Sequence, residues 1–450
     1  MRRLLLVNPV NPRRRGLAVN PAGMLPPLGL GIVAALTGRD WEVEILDEHF
    51  ERFEVRPADL VGLTAFTNTA PRAYAIAAEY RRRGVPTVLG GIHASVRPDE
   101  ALQHVDAVAI GEAESTWPRM LEDLERGRLQ RVYREDPERR TPISGARHDL
   151  FHERYLLGAL QTARGCPMDC DFCSVTAFNG HRYRRRELDA VFEELAGVQR
   201  RYLYLVDDNI YGYGSGARER ALALFEGIVQ RGIRKSWLCQ ASVNFADHDD
   251  VLALAARAGC RLVLLGLEAE DAAALEGANK RLNLKYLDRY EEVFRRFHAH
   301  GIAVLGGFIY GMESDTPEAL ARRTRFIEQS SLDAIQMSIM TPLPGTRLYE
   351  RFEKEGRLLH TRYPEDWARY DMTEVVFRPA RMRPEELDRA YAEGARTTYA
   401  PTALGRRYLG SVRATRDFTS AWWAYSANLN YLYAGTARLL QQAFSLPWWR

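Results

Sequence analysis

Short, nearly continuous apolar runs alternate with stretches of helical spacing along most of this chain, and that alternation leaves few folds open. Strand-length runs fall at 4–8, 42–46, 60–64, 87–90 and 107–110, with helical spacing at 28–36, 70–83 and 115–126. Strands that are apolar along their whole length are buried on both faces, so this pattern predicts a parallel, flavodoxin-like α/β sheet over residues 1–135. Such sheets bind ligands beyond the carboxyl ends of their strands. The residues predicted there are Asn8, Thr64, Asn68, the run Gly90-Gly91-Ile92-His93 and the run Gly111-Glu112-Ala113-Glu114. Their small and hydroxyl side chains let backbone amides approach a bulky polar ligand, and they serve equally as ordinary turn residues.

Residues 136–157 are charged, carry Pro and Gly and lack a period, which reads as a linker. A second alternation follows over 158–357. Strands are predicted at 158–163, 202–206, 236–241, 262–266, 302–309 and 334–339, and helices at 187–200, 217–231, 249–258, 285–300 and 316–330. Six such units make a partial (β/α)6 barrel, whose chemistry belongs at the carboxyl ends of its strands. The remainder, 358–450, changes register: Pro384 opens a helix, and the stretch from Trp422-Trp423 to Trp448-Trp449-Arg450 is rich in aromatics.

Directly after the first barrel strand comes Gly165-Cys166-Pro167-Met168-Asp169-Cys170-Asp171-Phe172-Cys173. Three thiols at this spacing share one loop and can wrap one inorganic centre, since thiolates favour iron-sulfur clusters and zinc. Protein-closed zinc takes four ligands, so a zinc site needs a distant Cys or His. A 4Fe-4S cluster held by three thiolates keeps one iron open. Three buried structural cysteines are the remaining alternative. At the other strand ends, Asp207-Asp208-Asn209 offers two adjacent carboxylates that can bind an ammonium group, a substrate or a metal, or cap a helix. Glu268 ends the fourth strand, where a carboxylate can accept both hydroxyls of a ribose.

The cysteine loop, with Phe172 before its third thiol, resembles the signature of radical S-adenosylmethionine (SAM) enzymes. Gly306-Gly307-Phe308-Ile309-Tyr310-Gly311 resembles that family's fifth-strand motif, and Thr341-Pro342-Leu343-Pro344-Gly345-Thr346 its loop after strand six. Pro26-Pro27-Leu28-Gly29-Leu30, followed by the segments at Gly90 and Gly111, resembles the cobalamin-binding domain that precedes the barrel in one class of these enzymes. The resemblance implies a 4Fe-4S cluster on Cys166, Cys170 and Cys173. It implies SAM against Phe172, Asp207, Asp208, Glu268, Gly307 and Gly311, and cobalamin along Asn8, Thr64, Asn68, Gly90, Gly91, His93, Gly111 and Glu112. Asp47-Glu48-His49-Phe50-Glu51-Arg52 departs from the cobalt-ligating pattern of cobalamin mutases, since Arg52 replaces its glycine, so His49 is expected to be a solvated residue and not a cobalt ligand.

The activity implied is C-methylation of a small molecule, a natural product or a lipid, with an electron donor such as flavodoxin or ferredoxin. Cyclisation, rearrangement or dehydrogenation without methyl transfer is the alternative within enzymes, and a non-catalytic corrinoid or metal carrier the alternative outside them. A net charge of +3, from 62 basic and 59 acidic residues, gives no field on the scale of a nucleic-acid binder. Five cysteines, three of them clustered, suit a reducing cytoplasm. Cys239 and Cys260 read as buried small hydrophobes. The aromatic tail is expected to form a lid on the barrel, with peripheral membrane contact as the second reading.

Overall fold

The computed structural model describes residues 1–14, 24–136, 141–181 and 183–443, with the side chains of the last helix placed as far as Leu432. The expected aromatic end at 447–450 lies outside them. The first sheet has six parallel strands in the order β2-β1-β3-β4-β5-β6. These are β1 (Arg2–Asn8), β2 (Trp41–Asp47), β3 (Leu60–Thr64), β4 (Thr87–Gly90), β5 (Ala107–Ile110) and β6 (Val132–Arg134). Both faces are covered, as their apolar composition requires. Leu5, Val7, Val61 and Leu63 pack with Tyr74 and Ile76, and Leu4, Leu6, Leu60 and Val88 pack with Leu30 and Trp117 on the other side. β6 was not legible as a strand because only Tyr133 of its three residues is buried. Two short helices, Ile92–Val96 and Pro98–His104, stand where only a loop was expected.

The second sheet is also six-stranded and parallel, in the order β14-β13-β12-β11-β10-β7. Its strands are β7 (Leu157–Leu160), β10 (Tyr202–Leu205), β11 (Ser236–Ala241), β12 (Cys260–Glu268), β13 (Ala303–Tyr310) and β14 (Ala334–Ile339). A separate antiparallel ribbon pairs β8 (Ala163–Arg164) with β9 (Arg184–Arg185). The strand expected at 158–163 therefore stops at Leu160. The physical cause is Asp207, whose carboxylate takes the Thr162 N–H and hydroxyl at 2.5 Å each and pulls the chain out of the ladder. The helix expected at 285–300 is broken into Arg281–Leu284, a 3-10 turn at Leu287–Arg289 and Tyr290–Ala299.

Strand alternation gives the barrel two different faces. Leu203, Leu205, Cys239, Val263, Leu265, Leu267 and Val304 point outward into the helices. Leu262, Ala303, Leu305 and Ala334 point inward, and there they meet Ala424, with Trp423 and Ala427 alongside, from the last helix, Phe418–Ala443. That helix is not a lid over the mouth. Ser420 donates to the carbonyl of Gly301 ahead of β13, and Asn428 bonds the first residues of β14, so its described part lines the lower inside of the barrel. An open six-stranded half-barrel leaves an apolar concave face, and the helix covers it. No described helix is long and apolar enough to cross a membrane.

The carboxyl ends of both sheets are joined. Asn11 Nδ2 donates to the Ala368 carbonyl at 2.9 Å and Trp367 Nε1 donates to Glu100 at 3.0 Å, while the Tyr155 hydroxyl, just ahead of β7, donates to Asp47 from the amino-end side of that strand. The segment expected as a linker is tied down where it is described. The N–H of Arg147 donates to Gly31, that of Ser144 to Glu114, and His148 lies 2.7 Å from Glu194.

Candidate functional site

β8 and β9 bracket the cysteine loop, and side chains from the segments that follow β10, β12 and β14 fix its course. Gly165 turns in the left-handed region at φ +87°, and its N–H donates to Asp208 Oδ2 at 2.9 Å, as does Asn179 Nδ2 at 3.2 Å. Asn279 donates to the carbonyl of Asp169 at 2.6 Å, and Arg347 reaches Asp171 at 2.7 Å. Phe172 is half-buried against the barrel core. Cys170 is buried and Cys166 and Cys173 half-buried, and burial pushes all three thiols up, Cys170 to about 12. Among the described residues no group of three or more His, Cys, Asp or Glu is placed to hold a single metal ion. The donor set itself, three soft sulfurs on one pinned loop, is that of a cluster with one open iron.

No motif or period points to Lys280, which stands near these thiols. Its Nζ lies 2.6 Å from Glu268 Oε1. Burial works against its charge, but Glu268 and then Cys170 outweigh burial and raise its pKa. Thiols must be deprotonated to bind iron, and a buried ammonium beside them offsets part of what burial takes away. Glu268 itself sits at φ +67°, a conformation that costs a non-glycine residue on the order of 1 kcal/mol.

The expected SAM residues divide. Asp208, Glu268 and Gly307 lie on inward positions at the mouth, and a Cβ on Gly307 would make only ordinary contacts, 3.6 Å to the Leu265 carbonyl. Asp207 is a correction. Alternation turns it outward, it is 0 % exposed, and burial raises its pKa to about 6 while both oxygens serve Thr162. Gly311 is another: at φ +98° it packs beneath Leu387 and Phe377, which a Cβ would meet at 2.7 and 3.2 Å.

At the first sheet's carboxyl ends, Asn8, Thr64, Asn68, Gly90, Gly91 and Gly111 fall in one row, with Phe66 protruding beside them at 64 % exposure. Gly91 at φ +95° and Gly111 at φ +88° form the tight turns that bring backbone to this edge. A Cβ on Gly91 would meet Thr64 Oγ1 at 2.9 Å and the Ala65 carbonyl at 3.0 Å, so the protein's own packing also requires that glycine. His93 does not belong to the row: it is 0 % exposed and bonded to Tyr74 at 3.1 Å and Glu100 at 3.2 Å. Glu112 is turned toward the cysteine loop, where it pairs with Arg164 and Arg184. His49 is not simply solvated, since its Nδ1 lies 2.8 Å from Asp47. A Cβ on Gly111 would likewise meet Glu135, at 2.6 Å, so both turns are packed by the chain itself, and what the row offers a corrinoid is its half-buried small polar residues, Thr64 and Asn68, beside exposed Phe66.

Family profiles match along the chain in the same order: a B12 binding domain over 14–121, the radical SAM superfamily over 160–327, and a domain of unknown function (DUF4070) over 346–444. The bacteriochlorophyllide d C-12(1)-methyltransferase of Chlorobaculum tepidum is 31 % identical over 423 residues, covering 90 % of this chain and 89 % of that one. The hopanoid C-2 methylase of Rhodopseudomonas palustris is 29 % identical, covering 75 % and 66 %. Among solved structures, the radical S-adenosylmethionine methyltransferase TsrM from Kitasatospora setae, with cobalamin and a 4Fe-4S cluster bound, superposes with a TM-score of 0.67 at 19 % identity, over 98 % of this chain and 99 % of that one.

Proposed function

The chain belongs to the family of cobalamin-binding radical SAM methyltransferases, and from that membership we propose that it transfers a methyl group to a carbon of an apolar small molecule. The observation that carries this reading is the join between two sites: the pinned three-cysteine loop and the glycine-turned row of the first sheet belong to carboxyl ends that side chains of this chain tie together.

In this reading Cys166, Cys170 and Cys173 hold the 4Fe-4S cluster, and Lys280 offsets the charge gathered there. Asp208, Glu268 and Gly307 shape the SAM side of the mouth, with Phe172 under the loop. Asn8, Thr64, Asn68, Gly90, Gly91 and Gly111 receive the corrinoid edge. When bound, the cluster and cobalamin supply reductive cleavage of SAM and methyl transfer; the chain's work is to orient them and keep water out. A substrate with hydrocarbon character, as tetrapyrroles and hopanoids have, is the class that the methyltransferase relatives support. A flavodoxin- or ferredoxin-like protein supplies electrons, and the cytoplasm is the compartment that keeps the cysteines reduced. The four structural units are 1–135, 136–157, 158–357 and 358–450, with the second a tethered strap.

The test is anaerobic turnover of the fully loaded protein with methyl-deuterated SAM against a hopanoid and a bacteriochlorophyllide. Labelled methyl in either product, with S-adenosylhomocysteine and 5'-deoxyadenosine formed together, is the result expected. Substrate-dependent 5'-deoxyadenosine with an altered but unlabelled product would transfer the chain to the cyclising or rearranging reading.

A further inference from the structure

The two arginines of the ribbon around the cysteine loop stand directly across from each other. Arg164 pairs with Arg184 in register, the first standing one residue before Gly165 and the second beyond the short helix Ser174–Asn179 that follows Cys173. Like charges at cross-strand positions repel, so this ribbon is unfavourable by itself. What neutralises it comes from the other sheet. Glu112, directly after the Gly111 turn at the end of β5, lies 2.9 Å from Arg164 and also grips Arg184, and Glu114 lies 2.8 Å from Arg164. All four side chains are largely withdrawn from water, with Arg164 only 8 % exposed.

Buried ion pairs give back in attraction about what they lose in desolvation, so stability alone is a poor reason for three of them; their best-attested role is to set a register. The register at stake here is between the edge that presents Gly111 and the ribbon that opens and closes the cysteine loop. A shift of the Gly111 turn carries Glu112 with it, and the ribbon cannot stay closed on uncompensated arginines. We infer that Glu112, Glu114, Arg164 and Arg184 are positioning residues that fix the corrinoid edge and the cluster loop at one separation and orientation. Their ion pairs are with one another. The inference rests on the two-cofactor reading proposed above and adds what holds the two sites in register.

The experiment compares wild type with Glu112→Gln and Arg184→Lys, each loaded with cluster and cobalamin, by pulsed electron paramagnetic resonance of cob(II)alamin near the reduced cluster. Expected are normal contents of both cofactors, a broadened distribution of the interaction between the two spins, and a several-fold rise in 5'-deoxyadenosine formed per S-adenosylhomocysteine. Glu112→Gln keeps the shape and loses the charge, and Arg184→Lys keeps the charge and loses the two-pronged grip, so a variant that fails to fold leaves the other to decide. A spin interaction as narrow as wild type in a fully loaded variant overturns the inference. Failure of wild type itself to take up cobalamin would instead overturn the reading beneath it.

Discussion

Asp207 is buried with both oxygens committed to Thr162, while its neighbour Asp208 faces the mouth and holds Gly165. Burial raises the Asp207 pKa to about 6, above the ordinary carboxylate value. The folded chain therefore keeps this proton through a range in which the unfolded chain has released it, and stability contributed here falls as pH rises from about 4 to about 6 and is flat above that. Asp207→Asn keeps a carbonyl for the Thr162 N–H and an amide for its hydroxyl. It is expected to be more stable than wild type at pH 7, by on the order of 1–3 kcal/mol, with the difference vanishing toward pH 4. Parallel melting curves across that range would contradict it. The glycines give a second test at this scale. Gly307 is buried, but a Cβ there meets only ordinary contacts, so Gly307→Val is expected to keep normal cluster and cobalamin contents and to lose at least tenfold in 5'-deoxyadenosine formation, roughly the loss of one close ligand contact. Gly91→Val must take φ +95° and displace Thr64, so it disturbs the fold of the first sheet before it reports on any ligand. The three cysteines were legible from spacing alone, and the opposite facing of Asp207 and Asp208 follows from counting alternate residues along the strand. Lys280 was not legible, because the thiols that give it meaning come from a distant part of the chain and Glu268, 12 residues before it, meets it only through the fold of the intervening segment.

At the scale of elements, the last helix is the largest departure from expectation. Aromatic content alone does not distinguish a lid from a plug, since both cover apolar surface. What decides is Asn428, 1 % exposed, whose Oδ1 accepts the Ile335 N–H at 3.1 Å and whose Nδ2 donates to the Asp333 carbonyl at 2.8 Å. β14 is an edge strand, and this side chain answers part of the ladder that has no neighbour there. Asn428→Ala leaves two buried backbone groups unpaired, with an expected cost of about 2–4 kcal/mol. A melting temperature lower by several degrees is the outcome to look for; an unchanged one would mean that the helix is not seated on the inner face. The strands and most helices were legible because apolar period is a local property. The break at Leu160 and the ribbon β8–β9 were not, because Asp207 imposes them from 45 residues away. β6 was missed for a different reason, its single buried side chain giving no period to read.

For the whole molecule, the order of domains was legible as two α/β alternations around a cysteine loop, but nothing in either alternation says that the two rows of carboxyl ends meet. That meeting depends on Glu112 and Glu114 finding Arg164 and Arg184, and on Glu100 and Ala368 finding Trp367 and Asn11. The central claim is that one chain directs SAM to two fates, at a cluster and at a corrinoid held beside it. Its most direct test needs no acceptor: the reduced, cluster-loaded protein is incubated anaerobically with SAM, with and without bound cobalamin, and both SAM products are quantified by chromatography. The account predicts 5'-deoxyadenosine in both samples and S-adenosylhomocysteine, up to one equivalent, only where cobalamin is bound. S-adenosylhomocysteine absent from the cobalamin-loaded protein, or equal in the two samples, would contradict it.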